Sequence, residues 1–233
     1  MTIFIYGNYS YEYEIIKQDR KSISLTVKPD KSLVLKCPES VDQERIDLFL
    51  KRKWSWMHKQ LAFFDRIKKQ YKREYVSGES FYYLGRQYKL LVKKAKEDKV
   101  VLSRGVLIVH TSSNITDQAK NKKLVDDWYK KRAEIIFAER FSEVKRKFDY
   151  PSMPLLKIRN MSRRWGSFVG DGQVVLNPKL IHTSKKCIDY VIAHELCHVK
   201  YKNHDKKFWK FLSTKSPNWE KIKDELESKF GGY

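Results

Sequence analysis

One pentapeptide constrains this chain more than anything else in it. His194-Glu195-Leu196-Cys197-His198 sets two imidazoles four residues apart with a carboxylate directly after the first, and His204 follows six residues later. On a helix, positions i and i+4 share a face one turn apart, so His194 and His198 can hold one metal ion between them. Glu195 then lies beside that ion, where a carboxylate can act on water. Chance supplies such a pentapeptide in only about 0.01 chains of this length and composition.

The surroundings predict the helix. No Pro or Gly interrupts from Ser184 to Lys202, and Ile188, Val191, Ile192 and Val199 can bury its sides. A catalytic zinc takes three protein ligands and leaves a fourth position open. His204 is the natural third, because Lys202-Asn203 can end the helix and Asp205 can cap the next one, over Lys206–Leu212. Glu220, Glu225 and Glu227 are rivals for that place. Cys197 sits about 100° around the helix from His198 and reads as a small buried hydrophobe rather than a fourth ligand. His58, His110 and His182 belong to no such spacing and read as ordinary surface or core residues. Because ligating histidines must be neutral, metal is expected to leave below roughly pH 6.

The rest of the chain predicts an α+β protein. An antiparallel β-rich N-terminal part over 1–115, with one helix, is followed over 116–233 by a zincin-like part with an active-site helix, a long backing helix and a small sheet; the two can be subdomains of one structure. Tyr9, Tyr11, Tyr13 and Ile15 alternate with polar residues, as do Ile23, Leu25 and Val27. Ser40-Val41-Asp42-Gln43 reads as a capping box before a helix with apolar residues from Ile46 to Phe64, and Trp54 lies on that apolar stripe, where core packing outweighs base stacking. Further strands are expected near 81–84, 88–92, 100–102 and 106–110, then a helix over roughly 117–148 ended by Pro151 and Pro154, then strands at Leu155–Arg159 and Gln173–Leu176 after the turn Gly170-Asp171-Gly172. No internal repeat is visible.

Lys and Arg number 49 against 28 Asp and Glu, a net charge of +21, spread over both halves with no basic tail; the densest runs are short, at 68–73 and 120–123. Such a surface admits a nucleic-acid partner but mostly reads as solvated. Three scattered cysteines form no disulfide framework. No apolar run is long enough for a spanning helix and no secretory signal is seen, so a cytoplasmic protein without membrane contact is expected.

Beyond these readings the chain resembles the YgjP-like metallopeptidases, relatives of the SprT-like zinc proteases. The resemblance is carried by Arg164-Trp165-Gly166-Ser167, Leu176-Asn177, Ile188-Asp189-Tyr190-Val191, the pentapeptide itself, Asn203-His204 and Phe208-Trp209, with echoes in Arg20-Lys21, Lys53-Trp54 and Tyr83-Leu84-Gly85. It implies zinc on His194, His198 and His204, and Glu195 as the catalytic group. Phe168 stands where the family often has Cys, and Tyr201 with the lack of a following Met separates the chain from the metzincins, which share the histidine spacing. The expected function is zinc-dependent hydrolysis of a protein or peptide substrate, with Glu195 as general base. Gln173–Leu176 is expected to offer an edge strand to the substrate, with Arg164, Gln173, Val175 and Asn177 as candidate substrate-binding residues. Arg164, Tyr201, Asn203 and Tyr233 are candidates for the oxyanion. The alternatives are a metal-dependent hydrolase of a non-peptide substrate and a basic nucleic-acid-associated binding protein with a zinc site. Oligomeric state has no signature in the sequence.

Overall fold

Two four-stranded sheets of one topology, each followed by a long helix, carry the computed structural model as far as Lys145. The structure describes the chain except residues 1, 29, 67–72, 163, 171 and 231–233. Most of the basic run at 68–73 and Tyr233 therefore lie outside the described residues. The chain divides into two compact units, Met1–Lys69 and Gln70–Tyr233. The boundary expected near residue 115 falls inside the second unit.

In the first unit, β1 (Thr2–Tyr6), β2 (Tyr9–Lys17), β3 (Ser24–Val27) and β4 (Leu33–Cys37) lie in the order β1-β2-β4-β3. Each hairpin is antiparallel, but the inner strands β2 and β4 run parallel, with Tyr13 opposite Leu33. The N-terminal part is therefore not wholly antiparallel. Two hairpins are thus laid side by side through their second strands. The helix α1 (Gln43–Arg66) is capped by Asp42, whose carboxylate accepts from the Arg45 N–H at 2.9 Å, rather than by Ser40. Phe4, Tyr13, Leu35, Ile46, Leu50 and Met57 form its core, and Trp54 packs against that core as its place on the stripe predicts.

The second unit repeats the plan on different residues. β5 (Ser80–Tyr83), β6 (Arg86–Lys94), β7 (Lys99–Ser103) and β8 (Val106–Thr111) lie in the order β5-β6-β8-β7, again with the inner pair parallel, and α2 (Gln118–Lys145) follows. Both of its hairpins close through a residue pair in the left-handed region, Leu84-Gly85 and Arg104-Gly105, the pair a two-residue turn of matching twist requires. The repeat escapes the sequence because it is one of topology: each copy reaches the same strand order with its own apolar residues.

What positions the site comes after α2. A small sheet of β9 (Leu155–Ile158), β10 (Gly166–Val169) and β11 (Gln173–Leu176) has the order β10-β11-β9. β11 is thus the central strand, paired antiparallel to β10 and parallel to β9, and it offers no free edge; β10 does. A 3-10 turn (Pro178–His182) leads into α3 (Lys185–Cys197), then α4 (Lys206–Lys215) and α5 (Trp219–Phe230). Ser184 caps α3 by accepting from the Cys187 N–H. The β5–β6 turn grips this start, with Leu84 N–H on the Ile181 carbonyl at 2.9 Å and Gly85 N–H on that of His182 at 3.2 Å. α3 is buried nearly all round by Ile188, Val191, Ile192 and Leu196. The long α2 backs it through a bidentate ion pair, Arg140 to Asp189 at 2.7 and 2.6 Å. No helix among the described residues is long and apolar enough to cross a membrane.

Candidate metal centre

His194 lies in the last turn of α3 and His198 caps its C-terminus, four residues apart on one face as the spacing predicts. The helix ends at Cys197, ahead of Lys202-Asn203, because the chain tightens into short turns there, with Val199 N–H on Leu196 O and Lys200 N–H on Cys197 O. That turn brings His204 back. Nitrogens of His194, His198 and His204 all lie within 4.8 Å of one another, the single group of metal-capable side chains found among the described residues. The Nε2 atoms of His194 and His204 are 2.9 Å apart. Phe208, fully buried at the start of α4, forms the floor under all three imidazoles, with ring centroids 4.6–5.0 Å away.

The donor set fits a metal ion. The Tyr201 carbonyl, an acceptor only, takes a hydrogen bond from His198 Nδ1 at 3.0 Å, which leaves the His198 Nε2 lone pair free. Burial, followed by the neighbouring His198 and His204, pushes the His194 pKa down to about 3, and burial also lowers that of His204. Burial thus favours the neutral form of His194 and His204, the form that ligands take. Nitrogen lone pairs turned on one another repel unless a proton or a cation lies among them, and three imidazoles are a donor set suited to zinc. His194 Nδ1 is itself buried with no hydrogen-bond partner. The Trp209 indole supports His204 by stacking on its ring at 5.4 Å and donating to its carbonyl at 3.0 Å.

Glu195 faces the same cleft, a space of about 1170 Å³ walled by β10, α3 and α5. It is 7% exposed, and burial raises its carboxyl to about 7 against the opposing pull of the Phe168 N–H, which donates to it, and of Arg164. Gly166 makes this approach possible. A Cβ there would lie 2.7 Å from Val191 Cγ1 and 2.8 Å from Glu195 Oε1, so β10 can reach α3 only through a residue without a side chain.

Of the remaining candidates, Arg164 lines the cleft. Gln173 and Val175 do not, and Val175 is buried because β11 is central. Asn177 is buried too. Its amide donates to the carbonyls of Met161 and Arg164 at 2.8 and 2.9 Å and so shapes the loop that carries Arg164. Tyr201 and Asn203 are not among the cleft residues. Glu227 lines the cleft but lies outside the three-histidine group, 4.0 Å from Lys223, and Glu225 pairs with Lys229. Burial raises the Cys197 thiol to about 12, in keeping with a packing role. Trp209 appears in the sequence only as a motif residue, and nothing local in it announces that it supports His204. Gly166 likewise gives no signal beyond its place beside Trp165.

A model of one protein family, YgjP-like, metallopeptidase domain, matches residues 21–229. A search of curated proteins found no match. Among solved structures, the crystal structure of the metallopeptidase zymogen of Pyrococcus abyssi abylysin is similar over 41% of this chain and 95% of its own, at 20% identity and a TM-score of 0.37.

Proposed function

The chain belongs to the YgjP-like metallopeptidase family, and from that premise we propose that it is a zinc-dependent peptidase in which His194, His198 and His204 hold the ion and Glu195 is the general base. The observation that carries this reading is the convergence of three imidazoles with a buried carboxylate on one cleft. The chemistry zinc supplies when bound is Lewis acidity, which makes water a nucleophile near neutral pH and polarises a carbonyl. Glu195 takes the proton of the attacking water and delivers it to the leaving amine. A carboxyl poised near 7 suits a base that must also act as an acid. The free edge of β10 pairs with an extended substrate through backbone hydrogen bonds. Arg164, the cleft-lining member of the oxyanion candidates among the described residues, offers its guanidinium to the developing negative charge.

The test is Glu195→Gln in the zinc-loaded chain. Zinc content should be unchanged while cleavage of an unfolded protein substrate falls by about 10²–10⁴-fold. Chelation should silence the wild type and added zinc restore it. Full activity in the variant would remove Glu195 from the mechanism.

A further inference from the structure

The three imidazoles of the histidine group are not held alike. The backbones of His194 and His198 are fixed at the end of α3, and the His198 ring is oriented by its bond to the Tyr201 carbonyl. His204 is the exposed member and sits in the segment between α3 and α4. A ligand histidine is usually oriented through its second ring nitrogen, by an acceptor that sets both tautomer and ring plane. Among the described residues His204 Nδ1 has no such acceptor. Its ring is held instead by other rings: the two imidazoles, the Phe208 floor and the Trp209 indole, the last stacked on it at 5.4 Å with planes 30° apart.

Trp209 is in turn backed by Trp219, which opens α5. Their indoles stack at 4.4 Å with planes 17° apart. Hydrogen bonds close the arrangement. Trp209 Nε1 donates to the His204 carbonyl at 3.0 Å, Trp219 Nε1 to Ser213 Oγ at 3.0 Å, and Ser213 Oγ to the Trp209 carbonyl at 2.9 Å. Each indole N–H is thus committed, and the single Ser213 hydroxyl accepts from one tryptophan and donates to the other. Trp219 stands one turn before Lys223 and two before Glu227, which both line the cleft, so the residue that backs Trp209 also heads the α5 wall. Both tryptophans are partly exposed and pack against the core from outside, so replacing one opens no enclosed cavity.

We propose that Trp219 is a positioning residue of the metal centre: it fixes Trp209, and Trp209 fixes the ring of His204 with Nε2 turned to that of His194. The inference rests on the three-histidine zinc site of the proposed function, though not on turnover. Without the stack, an exposed ring on a connecting segment samples several rotamers, and binding must first collect it into one. Removing support of this kind from a ligand lowers metal affinity by about 10–100-fold.

The experiment measures the zinc affinity of the full metal-free chain by competition with a chromophoric chelator, with circular dichroism to check that each variant is folded. Trp219→Leu removes the stacking face and should weaken zinc binding about tenfold. Trp219→Phe keeps a ring and should stay within about twofold of the wild type. In a His204→Ala background Trp219→Leu should change nothing further, because the ligand it positions is gone. Ser213→Ala, a smaller change that frees the Trp219 N–H, should weaken zinc in the same direction and again only where His204 is present; if Trp219→Leu does not fold, Ser213→Ala decides. Wild-type affinity in the deciding variant overturns the proposal and leaves the three-histidine site standing. An equal loss in both backgrounds also overturns it, as a general effect on the fold. Zinc affinity unmoved by His204→Ala alone overturns the proposal together with the ligand set of the proposed function.

Discussion

His194 and His182 are both driven far below the ordinary histidine pKa, to about 3 and about 4, and in each the first cause is burial. For His194 this lowers the proton's ability to compete with a metal, so its own protonation does not set the limit near pH 6 that spacing alone suggests. His182 has no metal to serve. Its Nδ1 lies 2.9 Å from the Tyr82 carbonyl and its ring packs edge-on against Tyr129 at 4.4 Å. An unfolded histidine takes up its proton near pH 6.5, whereas this one resists until about 4. Stability from His182 is thus complete above 6.5 and drains away as pH falls toward 4. For the metal-free protein this amounts to about 2 kcal/mol lost between pH 7 and pH 5. Urea unfolding at the two pH values should show that loss in the wild type and a smaller one in His182→Asn. Equal losses would mean that His182 titrates normally in the fold. The sequence leaves His182 as an ordinary histidine, since nothing local foretells that the 3-10 turn tucks it under the β5 strand.

Between elements, the contact that matters most to the chemistry is that of β10 with α3. Gly166→Ala forces a methyl group onto Val191 and Glu195, two side chains already confined by burial. Overpacking of this kind costs about 1–3 kcal/mol, and here it also displaces the carboxylate. The variant should bind zinc normally, lose several degrees of thermal stability and turn over at least tenfold more slowly. Turnover at the wild-type rate would show that Glu195 tolerates the shift. The sequence placed His194 and His198 together on one face of a helix, because an i, i+4 pattern is local and survives any tertiary arrangement. It misread β11 as an edge. Whether a strand is central depends on partners elsewhere in the chain, and Gln173–Leu176 says nothing about β9 on its other side. Asn177 shows a related limit: a polar residue beside a strand can serve a substrate or a loop, and its bonds to the carbonyls of Met161 and Arg164 are invisible from the sequence.

At the scale of the molecule, every residue of the cleft and of the histidine group lies within the second unit, which has a core of its own. A chain reduced to residues 70–233 should therefore fold and bind one zinc per molecule, as measured by metal analysis after gel filtration. Failure to take up zinc would show that the first sixty-nine residues are needed for the site. The overall class was legible: an α+β protein with a β-rich beginning and a helical end. The repeated strand order was not, because a topology can recur with no residue recurring.

That division also has a consequence for the order of events during synthesis. Domains fold as units, with the N-terminal one first as the chain emerges. The first unit is completed by α1, whereas the cleft draws a wall from Gly166 and another from Glu227, on the last described helix. A nascent chain thus carries a finished sheet-and-helix body long before it can carry a finished cutting site. The cleft is completed only after the first unit, so a translation product interrupted between the two is a folded fragment without the histidine group.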